Sequence, residues 1–226
     1  MRLIITDLTE MHGGNYCVAG WDAQAQIMVR PLPNGSNWTA GLLQQHGINP
    51  GATVDVNPTG QQHPSVFPHR TEDTVINSAG IQTVNVGPIN WFAAGAPPTH
   101  ATVGNAFEGH LEHTRIWNGA RQGVHLQETT QIGSLKAVRV AVDQIDLFED
   151  EYQGKRSLRA YISDGDACYN LPVVAKSIRE AYRVNGIAGA QQSLPTQGSA
   201  HVRLGLARAW AGQPGKCSLM INGIYG

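Results

Sequence analysis

The chain has 226 residues, of which only 15% are charged, against about 25% in ordinary soluble domains, and it carries 26 glycines and 12 prolines. This length allows one large domain or two small ones with a buried core. A Gly/Pro excess with no repeat excludes a collagen-like chain, and 41% hydrophobic residues exclude wholesale disorder. The formal net charge of -1 carries no overall signature of nucleic-acid binding.

Arg2–Leu8 reads as a strand, Met11–Gly14 as a turn, and Asn15–Trp21 and Gln26–Arg30 as two further strands. Pro31–Ser36 breaks the pattern, and Trp38–His46, with apolar Trp38, Leu42 and Leu43 and Gly47 beyond, predicts a short helix. Ala52–Val56 and Thr74–Ile76 supply fourth and fifth strands. The same order returns later. Leu135–Leu147 alternates as one long half-buried strand, and Ser157–Ile162 and Ala167–Leu171 follow across the Ser163–Asp166 turn. Pro172 opens a helix that Asn185-Gly186 closes, with Val174, Ile178, Ala181 and Tyr182 on one face. Strands near His201–Leu206 and Lys216–Ile221 complete the set.

A helix between the third and fourth strands of five is the chain order of the OB-type Greek-key barrel. The expected fold is therefore mainly β, with two small OB-like barrels at residues 1–87 and 132–226. Residues 88–131 are expected to form a structured connector with one or two short helices, and they hold four of the nine histidines.

The opening "RLIITDLTEMHGGNYCVAG…IMVRPLP", the later His63-Pro64, "RIWNGARQG" at Arg115–Gly123 and the closing "GKCSLMINGIY" resemble the bacterial dual OB domain family along the whole chain. The resemblance implies two OB barrels in one polypeptide. It also implies a nucleic-acid or nucleotide binding role, often linked to prokaryotic defence or genome-conflict systems. It brings no catalytic residues with it.

Three cysteines, Cys17, Cys168 and Cys217, form no Cys-x-x-Cys pair, which suits a reducing compartment. No secretory leader and no run of 18 apolar residues is present in the chain as given, and a cytoplasmic location is expected.

Charge is unevenly spread. Residues 1–125 hold five Lys/Arg against eight Asp/Glu, net -3, whereas residues 155–226 hold nine against three, net +6. Twelve of the 16 basic residues are arginine, the type that forks onto phosphate and stacks on bases. The candidate nucleic-acid set is Arg30, Lys155, Arg156, Arg159, Tyr161, Lys176, Arg179, Arg183, Arg203 and Arg208. The competing reading is a solvated face neutralised by Asp143, Asp146, Glu149, Asp150 and Glu151. Arg115, Trp117 and Asn118 form either a base-stacking tip or a plug between barrels, with the plug preferred. For Trp21, Trp38, Tyr161, Tyr169, Trp210 and Tyr225, core packing competes with base stacking.

His110 and His113, at i and i+3, would share a helical face and are weak metal candidates, so no metal and no cofactor is assigned. No P-loop, dinucleotide fingerprint or Gly-x-Ser-x-Gly elbow is present. The leading expectation is a non-enzymatic module for single-stranded nucleic acid or a nucleotide. An adaptor for a protein partner from a neighbouring gene is the alternative, and a metal-dependent hydrolase on the histidine-rich connector stands third.

Overall fold

The computed structural model describes residues 1–87, 90, 91, 96–152 and 154–226. Residues 88, 89 and 92–95, which belong to the expected connector, and residue 153 lie outside the described residues. The chain is mainly β and divides into two compact units, Met1–Pro97 and Pro98–Gly226. Residues 98–131 of the expected connector therefore cluster with the second unit. Among the described residues no helix is long and apolar enough to cross a membrane.

The first unit is an OB-like barrel. Its strands are β1 (Arg2–Glu10), β2 (Asn15–Asp22), β3 (Ile27–Pro33), β4 (Trp38–Thr39), β5 (Ala52–Asp55), β6 (Asp73–Ile76) and β7 (Gln82–Val86), with helix α1 (Ala40–Gln45) after β4. β1 pairs antiparallel with β2 and β5, β2 with β3, and β3 runs parallel to β6. The chain just after β5 then meets β6, through Thr59 N to Val75 O and Asn77 N to Asn57 O, both 2.9 Å. Those bonds bring the two ends of the sheet together.

β3 continues through Pro31 and Pro33, where the sequence suggests a break. The two prolines alternate with residues that keep their N–H, and Arg30 N donates to Glu72 O at 2.7 Å. The core holds Leu3, Ile5, Val18, Val29, Val54 and Ile76 around Trp38, which is 1% exposed. The indole N–H of Trp38 donates to Pro31 O at 2.8 Å, so its one polar atom is satisfied in the core.

The second unit is also OB-like and larger. It contains α2 (Val103–Ala106), β8 (Arg115–Trp117), β9 (Ala120–Gln122), β10 (His125–Gln127), β11 (Leu135–Ala141), β12 (Ile145–Tyr152), β13 (Lys155–Ser163), β14 (Cys168–Pro172), α3 (Lys176–Gln192), β15 (Ser199–Leu206) and β16 (Lys216–Tyr225). The long strand expected over Leu135–Leu147 is bent by a 3-10 turn at Val142–Gln144. Before the bend β11 pairs with β15; after it β12 pairs with β13. One alternating segment thus serves two sheets, as a barrel corner requires.

β15 pairs with β16, and Val174 N donates to Ile221 O at 2.9 Å beside a parallel bridge from Val173. That contact links the end of β14 to β16. The core between the sheets includes Leu147, Leu158, Ile162, Leu171, Val202, Leu204, Leu219 and Ile221, with Phe107 from the segment after α2.

Candidate functional site

The five-stranded sheet of the second unit, in the order β12-β13-β14-β9-β8, has one face turned into the core and one turned away. Side chains alternate along a strand, and directly paired residues share a face. Leu158, Ala160 and Ile162 of β13, with Tyr169 and Leu171 of β14, are buried and point inward. Their neighbours Arg159, Tyr161, Cys168 and Asn170 consequently lie on the opposite face, where Asn170 is covered at 4% exposure.

Register carries that outward face across the sheet. Phe148 lies opposite Arg159, Tyr161 opposite Asn170, Cys168 opposite Ala120, and Ala120 opposite Trp117. Arg115, two residues from Trp117, shares its face. Two short connector strands, β9 and β8, have therefore widened the barrel's sheet and given this face a third aromatic.

At one end of the face the Phe148 and Tyr161 rings stack, with centroids 4.5 Å apart and planes 16° from parallel. Both are half-buried, so each keeps an accessible edge or face. Arg159 lies beside them. Its Nε donates to Asn170 Oδ1 at 2.6 Å and its Nη2 to Asn170 O at 3.0 Å, and Asp150 Oδ2 stands 3.7 Å away. Burial pulls the Arg159 pKa below the usual arginine value, and the nearby Asp150 and Tyr161 work against that fall. A guanidinium fixed along one edge in this way presents its remaining N–H donors in a set direction.

At the other end Trp117 is 57% exposed. The Arg115 guanidinium sits over its ring, 5.7 Å from the centroid, while Arg115 Nε donates to Gln122 Oε1 at 3.0 Å. Asn118 and Gly119 join β8 to β9 with φ values of 50° and 76°. This is the Asn-Gly turn that a two-residue hairpin favours, because both central residues need positive φ.

The rest of the expected set is scattered. Lys155 begins β13 and is exposed. Arg156 is exposed but tied to acids, with Nη1 3.4 Å from Glu149 Oε1 and Nε 3.7 Å from Glu151 Oε2. On α3, Lys176 Nζ is 2.6 Å from Glu180 Oε1, Arg179 is half-buried and Arg183 is exposed. Arg203 is 1% exposed on β15, and Arg208 is exposed in the loop after it.

Arg30 is in the first unit and is 5% exposed. Its Nη1 is 2.7 Å from Asp73 Oδ1 and its Nη2 3.8 Å from Glu72 Oε2. Burial disfavours its charge, yet Cys17, Glu72 and Asp73 outweigh that cost and hold the pKa above the ordinary value. His63 Nδ1, 3.6 Å from Asp73 Oδ2, completes the network.

His110 and His113 are exposed, and the segment around them is not helical, because Glu112 pairs with His125 in an antiparallel bridge. Among the described residues no group of three or more His, Cys, Asp or Glu is placed to hold a metal ion. Of the aromatics, Trp21, Trp38 and Tyr169 are core residues at 5%, 1% and 1% exposure, whereas Trp210 is 63% exposed. Phe148 enters the face without any sequence signal beyond its place in an acidic strand.

A family model described as a dual OB-containing domain matches residues 1–224. The chain has no significant match among curated proteins or among solved structures.

Proposed function

The chain belongs to the dual OB-containing domain family, and from that premise we propose that it is a cytoplasmic, non-enzymatic module that binds single-stranded nucleic acid on the outward face of the β12–β8 sheet. The carrying observation is the pairing, on one face, of two aromatic platforms with fixed arginines: Phe148–Tyr161 beside Arg159, and Trp117 beneath Arg115. OB barrels bind oligonucleotides on the face of their second and third strands, here β13 and β14.

Three inter-strand steps of about 4.8 Å separate β13 from β8, so the platforms stand roughly 14 Å apart. Bases stacking on Tyr161 and Trp117 would leave the intervening phosphates above Asn170 and Gln122, within reach of Arg159 and Arg115. Stacking accepts any base, so the expected preference is for single strands over duplex rather than for a sequence.

Fluorescence anisotropy with a labelled oligonucleotide of about 12 nucleotides tests the reading. Tyr161→Ala is expected to weaken binding about 5- to 150-fold, the equivalent of roughly 1–3 kcal/mol for one stacked base. Absence of binding at low salt, or equal affinity of the variant, would overturn it. The sequence resemblance supports a setting in a prokaryotic defence system, which phage plating on cells with and without the gene would check.

The adaptor reading is favoured by one feature. Ile116, 62% exposed on the opposite face of the same hairpin from Trp117, is an apolar group of the kind a protein partner covers.

A further inference from the structure

In the four-stranded sheet of the second unit, β10 and β16 pair with His125 opposite Ser218 and Gln127 opposite Lys216. The loop between β15 and β16 borders an open pocket of about 380 Å³, lined by Thr114, His125, Gly212, Gln213, Lys216 and Ser218 among others. That volume lies at the lower end of small-ligand sites.

The walls are held in place. The His125 ring is 4% exposed; its Nδ1 donates to Gly123 O at 2.8 Å, since a carbonyl can only accept. Its Nε2 lies 3.3 Å from Glu112 Oε2, and Gln127 Nε2 donates to that same oxygen at 2.9 Å. Among the described residues only the Gln127 bond holds the Glu112 carboxylate, because His125 Nε2 is buried without a hydrogen-bond partner. Thr114 Oγ1 donates to Gly123 O at 3.3 Å, and Gly123, at φ 61°, leaves the space that this hydroxyl fills. Ser218 Oγ donates to Gln213 Oε1 at 3.0 Å, which turns the Gln213 amide N–H groups away from Ser218.

Lys216, by contrast, is exposed and makes no ion pair among the described residues. The pocket's charged group is therefore a cation with no ion pair among the described residues, beside the Gln213 amide donor. At the rim, Trp210 is 63% exposed. Its indole occupies the space that a Cβ on Gly212 would take, which seats the ring against a pocket glycine.

We infer that this pocket is a second ligand site, which takes a phosphorylated nucleoside with its phosphate on Lys216 and its base on Trp210. A lysine is a point charge suited to phosphate, and an exposed indole offers a flat apolar face to a base. The inference deepens the nucleic-acid reading but uses none of the residues of the β12–β8 face. The phosphate could belong to a free mononucleotide or to the end of a strand.

Isothermal titration of the full chain with adenosine 5′-monophosphate, and with adenosine, tests the first source. Anisotropy with 5′-phosphorylated and unphosphorylated forms of one oligonucleotide tests the second. Binding of the monophosphate about tenfold or more above adenosine, lost in Lys216→Ala and in Trp210→Ala, supports a free nucleotide. A gain in strand affinity from the 5′-phosphate, lost in the same variants, supports a strand end. No monophosphate binding together with no 5′-phosphate gain, or effects that both variants leave intact, overturns the inference. Failure of the sheet-face reading is separate, because it appears as oligonucleotide binding indifferent to Tyr161→Ala.

Discussion

Two arginines show why residue type alone does not identify a site. Arg30 and Arg159 both stand on third or second barrel strands, and both are mostly covered. Arg30 meets Asp73 and Glu72, which lie more than 40 positions along the chain and complete a buried ionic knot. Arg159 is held by the neutral Asn170 and meets its carboxylate, Asp150 at 3.7 Å, only at the partly exposed edge of the sheet. That difference depends on which strand arrives alongside, and nothing adjacent to either arginine announces it.

A single histidine supplies a pH-linked test at this scale. His100 N donates to Ala137 O at 2.9 Å and Arg139 N to His100 O at 3.1 Å, which seats the residue against β11. Partial burial lowers its pKa, Lys136 lowers it further, and Glu108 opposes them. The folded chain thus resists a proton that the unfolded chain accepts near pH 6.5. Stability is fully present above the unfolded value and falls as pH drops through it, because the unfolded state then binds more protons. Urea unfolding at about pH 5 and pH 7.5 should show this loss, and His100→Gln should reduce it. An unchanged pH difference in the variant would count against the assignment.

Among the elements, the ones with strong local signals are legible in the sequence and the rest are set by tertiary context. The alternation of β13 and β14 and the turn at Ser163–Asp166 place those strands directly. The β8–β9 hairpin carries the Asn-Gly signal, but strands of three residues leave no periodicity on either side. The corner between β11 and β12 is hidden for a different reason: apolar alternation continues through it, and only the pairing with β15 and then β13 reveals the bend.

Helix α3 shows both cases. Asn185 (φ -129°, ψ 21°) and Gly186 (φ 60°, ψ -152°) leave helical geometry, as the Asn-Gly pair predicts. The chain then resumes helical turns to Gln192, which no local signal requires. Packing explains the return: a Cβ on Gly189 would collide with the Ala181 carbonyl and stand 2.8 Å from Asn185 Cβ. The second half of the helix thus packs closely against the first half through a glycine. Gly189→Ala should destabilise the unit by about 1–3 kcal/mol, as other overpacked sites do, despite alanine's better helix propensity. Denaturant midpoints of the two proteins measure it, and a stabilised variant would show that the contact relaxes freely.

Across the whole molecule, a net charge of -1 conceals a -3 stretch and a +6 stretch, and the structure shows how far the second is cancelled. Arg156 pairs with Glu149 and Glu151, Lys176 pairs with Glu180, and Tyr182 Oη donates to Glu149. Arg156 and Arg159 of β13 lie against Glu149, Glu151 and Asp150 of β12, so part of the excess is offset inside one hairpin. The cations on the sheet face are Lys155, Arg159 and Arg115, and a phosphate on Arg159 competes with its Asp150 contact at 3.7 Å. Each phosphate neutralised on a single strand releases about 0.7 of a counter-ion, so three contacts give a slope of about -2 for log affinity against log salt concentration. Engagement of all nine basic residues of the last third would instead give roughly -6. Anisotropy titrations with one oligonucleotide between about 50 and 300 mM potassium chloride separate these values. A slope near -6 would mean that the ligand strips the acidic partners from the hairpin. A slope near -2, reduced by about 0.7 in Arg159→Gln, would place the strand on the face where the aromatics are.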